Sequence, residues 1–296
     1  MNTFIPTELS THSVTVIGAG TMGHGIAGQM ARCGAQVRLY DAQEESLNRG
    51  FNNIQAIYQK AIKRQKMSAA EVEESLQRIT LALPAGDGSL ARACEGATLV
   101  VEAAPERLDL KQSIFTEAES VVSDEAILAT NTSSLSIDKI ASALRVPSRF
   151  IGMHFFNPVA VMPLLELVRG SATSDEIVAA SRALGEALLK TPIVVKDSPG
   201  FATSRLGIAL GNEAMRIYEE GVASAEDIDR AMVLGYRHPI GPLALTDLVG
   251  LDVRLAISEY LYGELGSDTF NPPQILRDKV ARGELGKKSG RGFYEY

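Results

Sequence analysis

An imidazole and a carboxylate, His154 and Glu166, are the pair of side chains in this sequence best suited to moving a proton. His154 ends one apolar run, and Glu166 lies inside the next one, Leu164–Val168. Nine residues, 155–163, separate the two runs. A helical crossover needs a dozen or more residues, so we expect the two runs to form antiparallel neighbouring strands. A symmetric turn then pairs position 154 with position 166 on one face of the sheet.

A carboxylate inside an apolar strand is unfavourable unless it is paired, and His154 is the partner that this register supplies. In such a pair the imidazole takes a proton from a hydroxyl group, while the carboxylate fixes the tautomer and stabilises the imidazolium. A purely structural pair is the alternative interpretation. The remaining histidines have no such carboxylate context and are treated as non-catalytic: His12, His24 and His238.

A glycine-rich turn near the start of the chain predicts a dinucleotide site. The buried run Val14–Ile17 leads directly into Gly18-Ala19-Gly20-Thr21-Met22-Gly23, and a helical pattern follows. Gly18 permits the tight turn, Gly20 lets the backbone approach a pyrophosphate, and Gly23 lets helix and strand pack closely. The helix N-terminus then presents unpaired amide groups and a positive dipole end to the anion.

A carboxylate at the end of the next strand favours NAD as the cofactor. Asp41 lies 18 residues past Gly23, where it can accept hydrogen bonds from the adenosine ribose and repel a 2′-phosphate. Arg38 lies close to Asp41 in the sequence, so NADP stays open as an alternative cofactor. Together with the preceding turn, this spacing predicts a Rossmann-like fold with NAD.

The pattern of elements predicts an α/β domain followed by a helical one. Short β-branched runs alternate with helical patterns up to residue 197, which indicates a doubly wound, mostly parallel sheet. The segment 44–76 carries two helical patterns and indicates a helical hairpin inserted between the second and third strands. The predicted strands are 14–17, 37–40, 79–83, 98–102, 126–130, 150–154, 164–168 and 192–195.

Beyond Asp197-Ser198-Pro199-Gly200 the strand signals stop. Helical spacing covers residues 201–219, 225–234, 245–262 and 273–281. In the first of these, one apolar stripe must bury a face, either within the domain or across a dimer interface: Phe201, Leu206, Leu210, Ala214 and Ile217. We therefore expect two domains: an NAD-binding domain at 1–197 and an all-helical substrate and dimerisation domain at 198–296.

Composition excludes several classes of function. The 29 Lys and Arg against 36 Asp and Glu give a net charge of −7, which does not favour a nucleic acid or an anionic membrane as partner. The first residues do not have the pattern of a secretory signal, and no apolar run approaches the roughly 18 residues of a membrane span. Cys33 and Cys94 lack metal-ligand spacing and suit a reducing compartment, so we expect a cytoplasmic protein without a bound metal.

Catalytic groups of such a sheet should come from the carboxyl ends of its strands. The segments that qualify are 102–106, 131–134, 154–158 and the strand that contains Glu166.

These residues resemble one family, the (S)-3-hydroxyacyl-CoA dehydrogenases, and especially the short bacterial 3-hydroxybutyryl-CoA dehydrogenases. The resemblance covers nearly the whole chain. Beside the glycine turn it is carried by Asn131-Thr132-Ser133-Ser134, His154-Phe155-Phe156-Asn157-Pro158, Asp197-Ser198-Pro199-Gly200-Phe201, Gly241-Pro242-Leu243 and Gly290-Arg291-Gly292-Phe293-Tyr294.

The resemblance implies NAD-linked, reversible oxidation of a short-chain (S)-3-hydroxyacyl-CoA to the 3-ketoacyl-CoA, as in fatty-acid β-oxidation, by a homodimer joined through its helical C-terminal domain. It makes His154 the base, Glu166 its orienting carboxylate and Ser133 a substrate contact. It places Arg64 at the phosphates of CoA, with Lys63 beside it in a basic cluster whose alternative interpretation is a solvated helix face. It also implies a set of cofactor contacts: Gly18, Gly20, Thr21, Met22, Gly23, Asp41, Glu106, Lys111, Asn131, Asn157 and Lys288.

One position departs from the family pattern. The family has Asn-Arg-Leu where this chain has Ser204-Arg205-Leu206. Serine keeps one donor and an acceptor but is shorter than asparagine, and we expect Ser204 still to hold the substrate oxygen, directly or through a water. Two alternatives stay open: a dehydrogenase of a free 3-hydroxy acid, of the carnitine or gulonate type, and a catalytically silent NAD-binding dimer.

Overall fold

The structure is a computed structural model that describes residues 9–296, and an eight-stranded sheet organises its first part. The strands lie in the order β3-β2-β1-β4-β5-β6-β7-β8. Their bounds are β1 Ser13–Ile17, β2 Gln36–Tyr40, β3 Ile79–Ala82, β4 Leu99–Glu102, β5 Ile127–Thr130, β6 Phe150–Phe155, β7 Leu164–Arg169 and β8 Thr191–Lys196. All eight strands predicted from the sequence are present, with ends shifted by one residue at most.

The sheet is parallel except at one pair of strands. β7 runs antiparallel to β6, while β8 returns to run parallel to β7. The reversal confirms the prediction made from the short segment 155–163. Strands β4, β5 and β6 are buried along their whole length, which explains their uninterrupted apolar sequences.

Seven helices accompany the sheet in the described part of this unit: α1 Thr21–Arg32, α2 Glu44–Lys63, α3 Ala69–Gln77, α4 Ser89–Cys94, α5 Leu108–Glu119, α6 Ile137–Ala141 and α7 Asp175–Ala187. The predicted hairpin is confirmed as α2 and α3. Ser68 and Glu71 form a capping box that starts α3. Tyr58 of α2 donates to the carbonyl of Gly28 in α1 at 2.6 Å and so fixes the hairpin against the nucleotide helix.

The chain divides into two compact units, Met1–Asp197 and Ser198–Tyr296. The second unit contains α8 Thr203–Glu219, α9 Ala225–Arg230, α10 Pro242–Val249, α11 Leu251–Leu265 and α12 Gln274–Ala281. Its core includes Met215, Leu243, Leu251 and Leu276. In residues 9–296, no helix has the length and apolar character needed to cross a membrane.

Two sequence predictions in the second unit were wrong. The single helix expected over 245–262 is two helices, because Gly250 has φ +106° and breaks the run between α10 and α11. The helix expected over 225–234 ends at Arg230 and continues as one π-helical turn, Ala231–Gly235. Of the apolar stripe predicted over 201–217, Phe201 and Ala214 are buried within the chain, whereas Leu206 is 72% exposed. Burial of Leu206 across a dimer interface stays a prediction.

Candidate active site

The glycine turn has the shape that a dinucleotide pyrophosphate requires. Gly18 has φ +95°, and a Cβ there would lie 2.6 Å from the carbonyl oxygen of Ala103. A Cβ on Gly23 would lie 1.7 Å from the carbonyl oxygen of Gly18, whereas one on Gly20 would meet no atom within 4 Å. The turn is thus closed on its inner side and open at Gly20. The N-cap residue of α1, Gly20, has no side chain that could cap the helix, so the first amide groups of α1 are available to an anion at this opening, and the turn fits NAD.

Asp41 is held at the same turn. One oxygen accepts from the backbone N–H of Ala19 at 2.8 Å, and the other accepts from that of Gln43 at 2.9 Å. A carboxylate has about four lone-pair sites, so acceptor capacity is left for ribose hydroxyls. Arg38 instead donates to Ser13 at the beginning of β1. Its guanidinium is therefore directed toward the amino end of the sheet, and it does not support a 2′-phosphate site.

His154 and Glu166 meet as the strand register predicted. They are paired positions of β6 and β7, and His154 Nδ1 lies 2.8 Å from Glu166 Oε2. Glu166 is fully buried and His154 is 8% exposed. A carboxylate on Nδ1 favours the tautomer with its proton there, which gives Nε2 the lone pair of a base. The ring of Phe156 packs on the imidazole, with 4.5 Å between the ring centroids.

Asn131 connects the adjacent strand end to this pair. Its Oδ1 accepts from the backbone N–H of Phe155 at 2.9 Å. Asn131, which the resemblance assigns to the cofactor, therefore also connects the end of β5 to Phe155, the residue after His154. Sequence reasoning had no signal for this second role.

Glu106 fixes the loop that carries Ser133. Its Oε1 accepts from the backbone N–H groups of Ser133 at 3.0 Å and Ser134 at 3.2 Å, and from the hydroxyls of Thr132 and Ser134. Burial alone would raise the pKa of Glu106, but the ion pair with Lys111 and these hydrogen bonds lower it below its usual value. The carboxylate is thus charged and determines the course of the 131–134 loop. Ser133 itself is exposed.

Lys111 lies at the centre of a buried network beneath that loop. Its side chain is 1% exposed, and its ammonium contacts Glu102 at 2.5 Å, Glu106 at 3.2 Å and the carbonyl of Ala104 at 3.2 Å. These three partners account for its three donors. Lys111 therefore acts through Glu106 in this structure. The sequence placed Glu102 in a candidate catalytic segment, but it did not indicate that Glu102 pairs with Lys111.

Glu102 completes the network. Its second oxygen accepts from the Thr130 hydroxyl at 2.6 Å, and its first also accepts from the backbone N–H of Ala104. Burial raises the pKa of Glu102, and the neighbouring Lys111 opposes that shift. Because Thr130 ends β5 and Glu102 ends β4, the network joins the ends of two adjacent strands.

The other candidate residues lie outside these networks. Asn157 is exposed just after β6, while Lys63 and Arg64 are exposed at the C-terminal end of α2. In the second unit, Ser204 is half-buried in the first turn of α8. Lys288 pairs there with Asp252 at 2.5 Å.

A nucleotide turn and an imidazole–carboxylate pair on the carboxyl ends of one sheet define the class of NAD-dependent dehydrogenases. Comparisons with known proteins identify the family. The model described as 3-hydroxyacyl-CoA dehydrogenase, NAD binding domain, matches residues 13–198, and the model of the C-terminal domain matches residues 200–296. The chain belongs to the 3-hydroxyacyl-CoA dehydrogenase family, and it is an NAD-dependent oxidoreductase.

Curated relatives and solved structures agree with this assignment. A probable 3-hydroxybutyryl-CoA dehydrogenase of Bacillus subtilis is 42% identical over 283 residues, which cover 96% of each chain. The crystal structure of (S)-3-hydroxybutyryl-CoA dehydrogenase from Ralstonia eutropha is similar with a TM-score of 0.89 and 43% identity, covering 96% of this chain and 99% of the other. A Mycobacterium tuberculosis structure gives a TM-score of 0.89 at 39% identity, covering 96% of this chain and 98% of the other.

Proposed function

We propose that this protein interconverts short-chain (S)-3-hydroxyacyl-CoA and 3-ketoacyl-CoA thioesters, with His154 and Glu166 as its acid/base pair. The 2.8 Å contact between His154 Nδ1 and Glu166 Oε2 carries the proposal, because it leaves the second ring nitrogen as a base. The names of the Bacillus and Ralstonia relatives support a four-carbon acyl group.

NAD, when bound, supplies the acceptor for the hydride that leaves C3 of the substrate. The protein's own contribution is to the proton. His154 Nε2 takes the proton of the 3-hydroxyl group, and the imidazolium that forms is stabilised by Glu166. Neither residue needs to reorient, since the fully buried carboxylate already holds the ring. General base catalysis of this kind contributes about 10² to 10⁴ in rate.

The remaining candidate residues divide between cofactor and substrate. The glycine turn, Thr21, Met22 and Asp41 bind the adenosine half of the cofactor, with Glu106, Asn131, Asn157 and Lys288 as further contacts and Lys111 acting through Glu106. Ser133 and Ser204 hydrogen-bond the substrate near its reacting oxygen. Lys63 and Arg64 attract the phosphates of CoA, which the exposure of both side chains at one helix end supports.

The proposal is tested by mixing the protein with NADH and acetoacetyl-CoA and following the nicotinamide absorbance. We expect NADH to be oxidised. Free acetoacetate should be reduced far more slowly, because it lacks the CoA phosphates that Lys63 and Arg64 attract. Equal rates on the thioester and the free acid would favour a free hydroxy-acid dehydrogenase. No oxidation of NADH with either substrate across a wide pH range would contradict the proposal.

We also propose a homodimer formed through the second unit. Several large apolar side chains there are exposed, which supports an interface: Leu206, Leu248, Val249 and Val253. Sedimentation analysis should give twice the mass of the chain, and a monomer would contradict this. The free thiols of Cys33 and Cys94 support a cytoplasmic location.

A further inference from the structure

Lys190 is a buried lysine whose ammonium binds one loop of the first unit. It lies between α7 and β8 and is 8% exposed. Its Nζ donates to the carbonyl oxygen of Val159 and, at 2.9 Å, to that of Met162. Both carbonyls belong to the β6–β7 connector, residues 156–163, which joins the two strands of the acid/base pair.

These two partners of the ammonium are neutral. Burial lowers the pKa of Lys190, because the charged form loses water. By contrast, the buried ammonium of Lys111 contacts the carboxylates of Glu102 and Glu106. At Lys190 the carbonyls of the connector compensate for the lost water, and hydrogen bonds from a charged donor are about twice as strong as those between neutral groups. Lys190 therefore binds the connector more firmly than an uncharged side chain would.

The connector is a compact turn held at both ends. The carbonyl oxygen of Pro158 accepts from the backbone N–H groups of Val161 and Met162, both at 2.9 Å. At the far end, the backbone N–H of Thr191 donates to the carbonyl of Pro163 at 2.7 Å. Because the turn is bonded within itself, we expect it to move as one body when one of its ties is lost.

The connector also packs on the helix that follows the glycine turn. Val159 is 3% exposed, and a Cβ on Gly25 would lie 3.0 Å from Val159 Cγ2 and 3.1 Å from Val159 Cβ. Gly25 lies in the second turn of α1, two residues after Gly23. The absence of a side chain at position 25 thus lets the connector approach the helix whose N-terminus faces the pyrophosphate.

The connector therefore spans the two parts of the site that must keep a fixed distance. His154 lies two residues before it, Asn157 is its second residue, and Val159 rests on α1. A reaction of bound groups needs its atoms about 3–3.5 Å apart, and a misplacement of about 1 Å can cost on the order of 10² in rate.

We propose that Lys190 is a positioning residue for the cofactor: its ammonium holds the connector on α1, so that Asn157 and His154 keep their places relative to NAD. This inference rests on the proposed function, because it takes Asn157 as a cofactor contact and His154 as the base. Lys190 itself acts only through the connector.

Lys190→Met tests the inference, because methionine fills similar space without the charge or the donors. We expect the Kd for NADH to rise about 3- to 10-fold, the effect of losing one neutral hydrogen bond, such as that of Asn157. We expect kcat to fall about 10- to 100-fold. The KM for acetoacetyl-CoA should stay within about twofold, since Lys63 and Arg64 lie on another element. Lys190→Arg keeps the charge and should recover part of both losses.

Gly25→Ala displaces the connector from its other side and leaves Lys190 unchanged. Its added methyl group would meet Val159 at about 3 Å, so the connector has to shift by a few tenths of an ångström. We expect the same two effects at smaller size, a raised Kd for NADH and a lowered kcat. This variant decides the question if Lys190→Met does not fold.

Lys196→Met is the matched control, because Lys196 is the exposed last residue of the same strand, β8. It should bind NADH and turn over like the wild type, and equal losses in this variant would overturn the inference by assigning them to net charge.

A purely structural role of Lys190 would lower the Tm and the active fraction but leave the Kd for NADH unchanged. An unchanged Kd in Lys190→Met, or in Gly25→Ala where Lys190→Met does not fold, would therefore overturn the inference. If the wild type does not reduce acetoacetyl-CoA, the proposed function fails, while the Kd values for NADH still decide the role of Lys190.

Discussion

Asn131 accepts a hydrogen bond from the backbone N–H of Phe155, with 2.9 Å between Oδ1 and N. Phe155 directly follows His154, so this bond ties the end of β5 to the strand end that carries the proposed base. His154 is thus positioned in two ways: its ring contacts Glu166, and the backbone N–H of the next residue, Phe155, donates to Asn131. The site is built on strand ends rather than on mobile loops, which favours a fixed base.

Replacing Asn131 tests that backbone link. Asn131→Ala leaves the N–H of Phe155 without its partner, and we expect a loss of about 1–3 kcal/mol in the free energy of unfolding. We expect kcat to fall as well, because the strand end moves. Urea unfolding and steady-state kinetics measure the two effects. Asn131→Asp keeps the acceptor oxygen and should be closer to the wild type in stability. Equal stability of Asn131→Ala and wild type would show that the bond contributes nothing.

The pair Lys111 and Glu102 predicts a non-additive response. Lys111→Met leaves the fully buried Glu102 without its cation, and we expect a loss of about 3–5 kcal/mol in unfolding free energy. Adding Glu102→Gln to that variant removes the orphaned charge and should recover part of the loss. A double variant that is less stable than Lys111→Met would contradict a network centred on this ion pair.

Glu106 predicts how stability depends on pH. Its folded pKa is lower than its ordinary value of 4.5, because Lys111 and the hydrogen bonds from Thr132 and Ser134 outweigh burial. A lowered pKa means that the charged carboxylate stabilises the fold fully above the ordinary value, and that this contribution is lost as the pH falls through the folded pKa. The stability gap between wild type and Glu106→Gln should therefore be constant near neutral pH and shrink below about pH 4.5. If the difference in stability between wild type and Glu106→Gln instead grows as the pH falls, the pKa of Glu106 is not lowered by folding.

Ser204 tests the departure from the family pattern. Ser204→Ala removes the proposed substrate hydrogen bond, and we expect kcat/KM on acetoacetyl-CoA to fall about 5- to 10-fold, the effect of one neutral hydrogen bond. Ser204→Asn restores the longer amide and should match or exceed the wild type. If neither variant changes kcat/KM, position 204 has no role in turnover.

The sequence predicted those parts of the molecule that depend on local pattern. The pairing of His154 with Glu166 followed from the nine residues, 155–163, that separate the two apolar runs, and the strand register confirms it. The glycine turn required its strand and its helix, and both are present. The break at Gly250 was missed because apolar spacing continues across it, and only its positive φ reveals two helices.

Local sequence patterns did not predict the contacts between polar side chains on different elements. Glu102 and Lys111 lie nine residues apart on a strand and a helix, and nothing in their spacing indicates that burial makes them partners. The exposure of Leu206 could not be predicted either, because apolar spacing along a helix does not indicate which of the apolar residues pack against another element of the chain.

The central claim is that His154, oriented by Glu166, moves the substrate proton, and His154→Ala tests it most directly. NADH binding, followed by fluorescence titration, and kcat on acetoacetyl-CoA are measured on the same preparations, with Glu166→Gln beside them. We predict that kcat falls by about 10² to 10⁴ in His154→Ala, and to a smaller degree in Glu166→Gln, while the Kd for NADH stays within about twofold of wild type. Undiminished kcat in His154→Ala with NADH still bound would contradict the account.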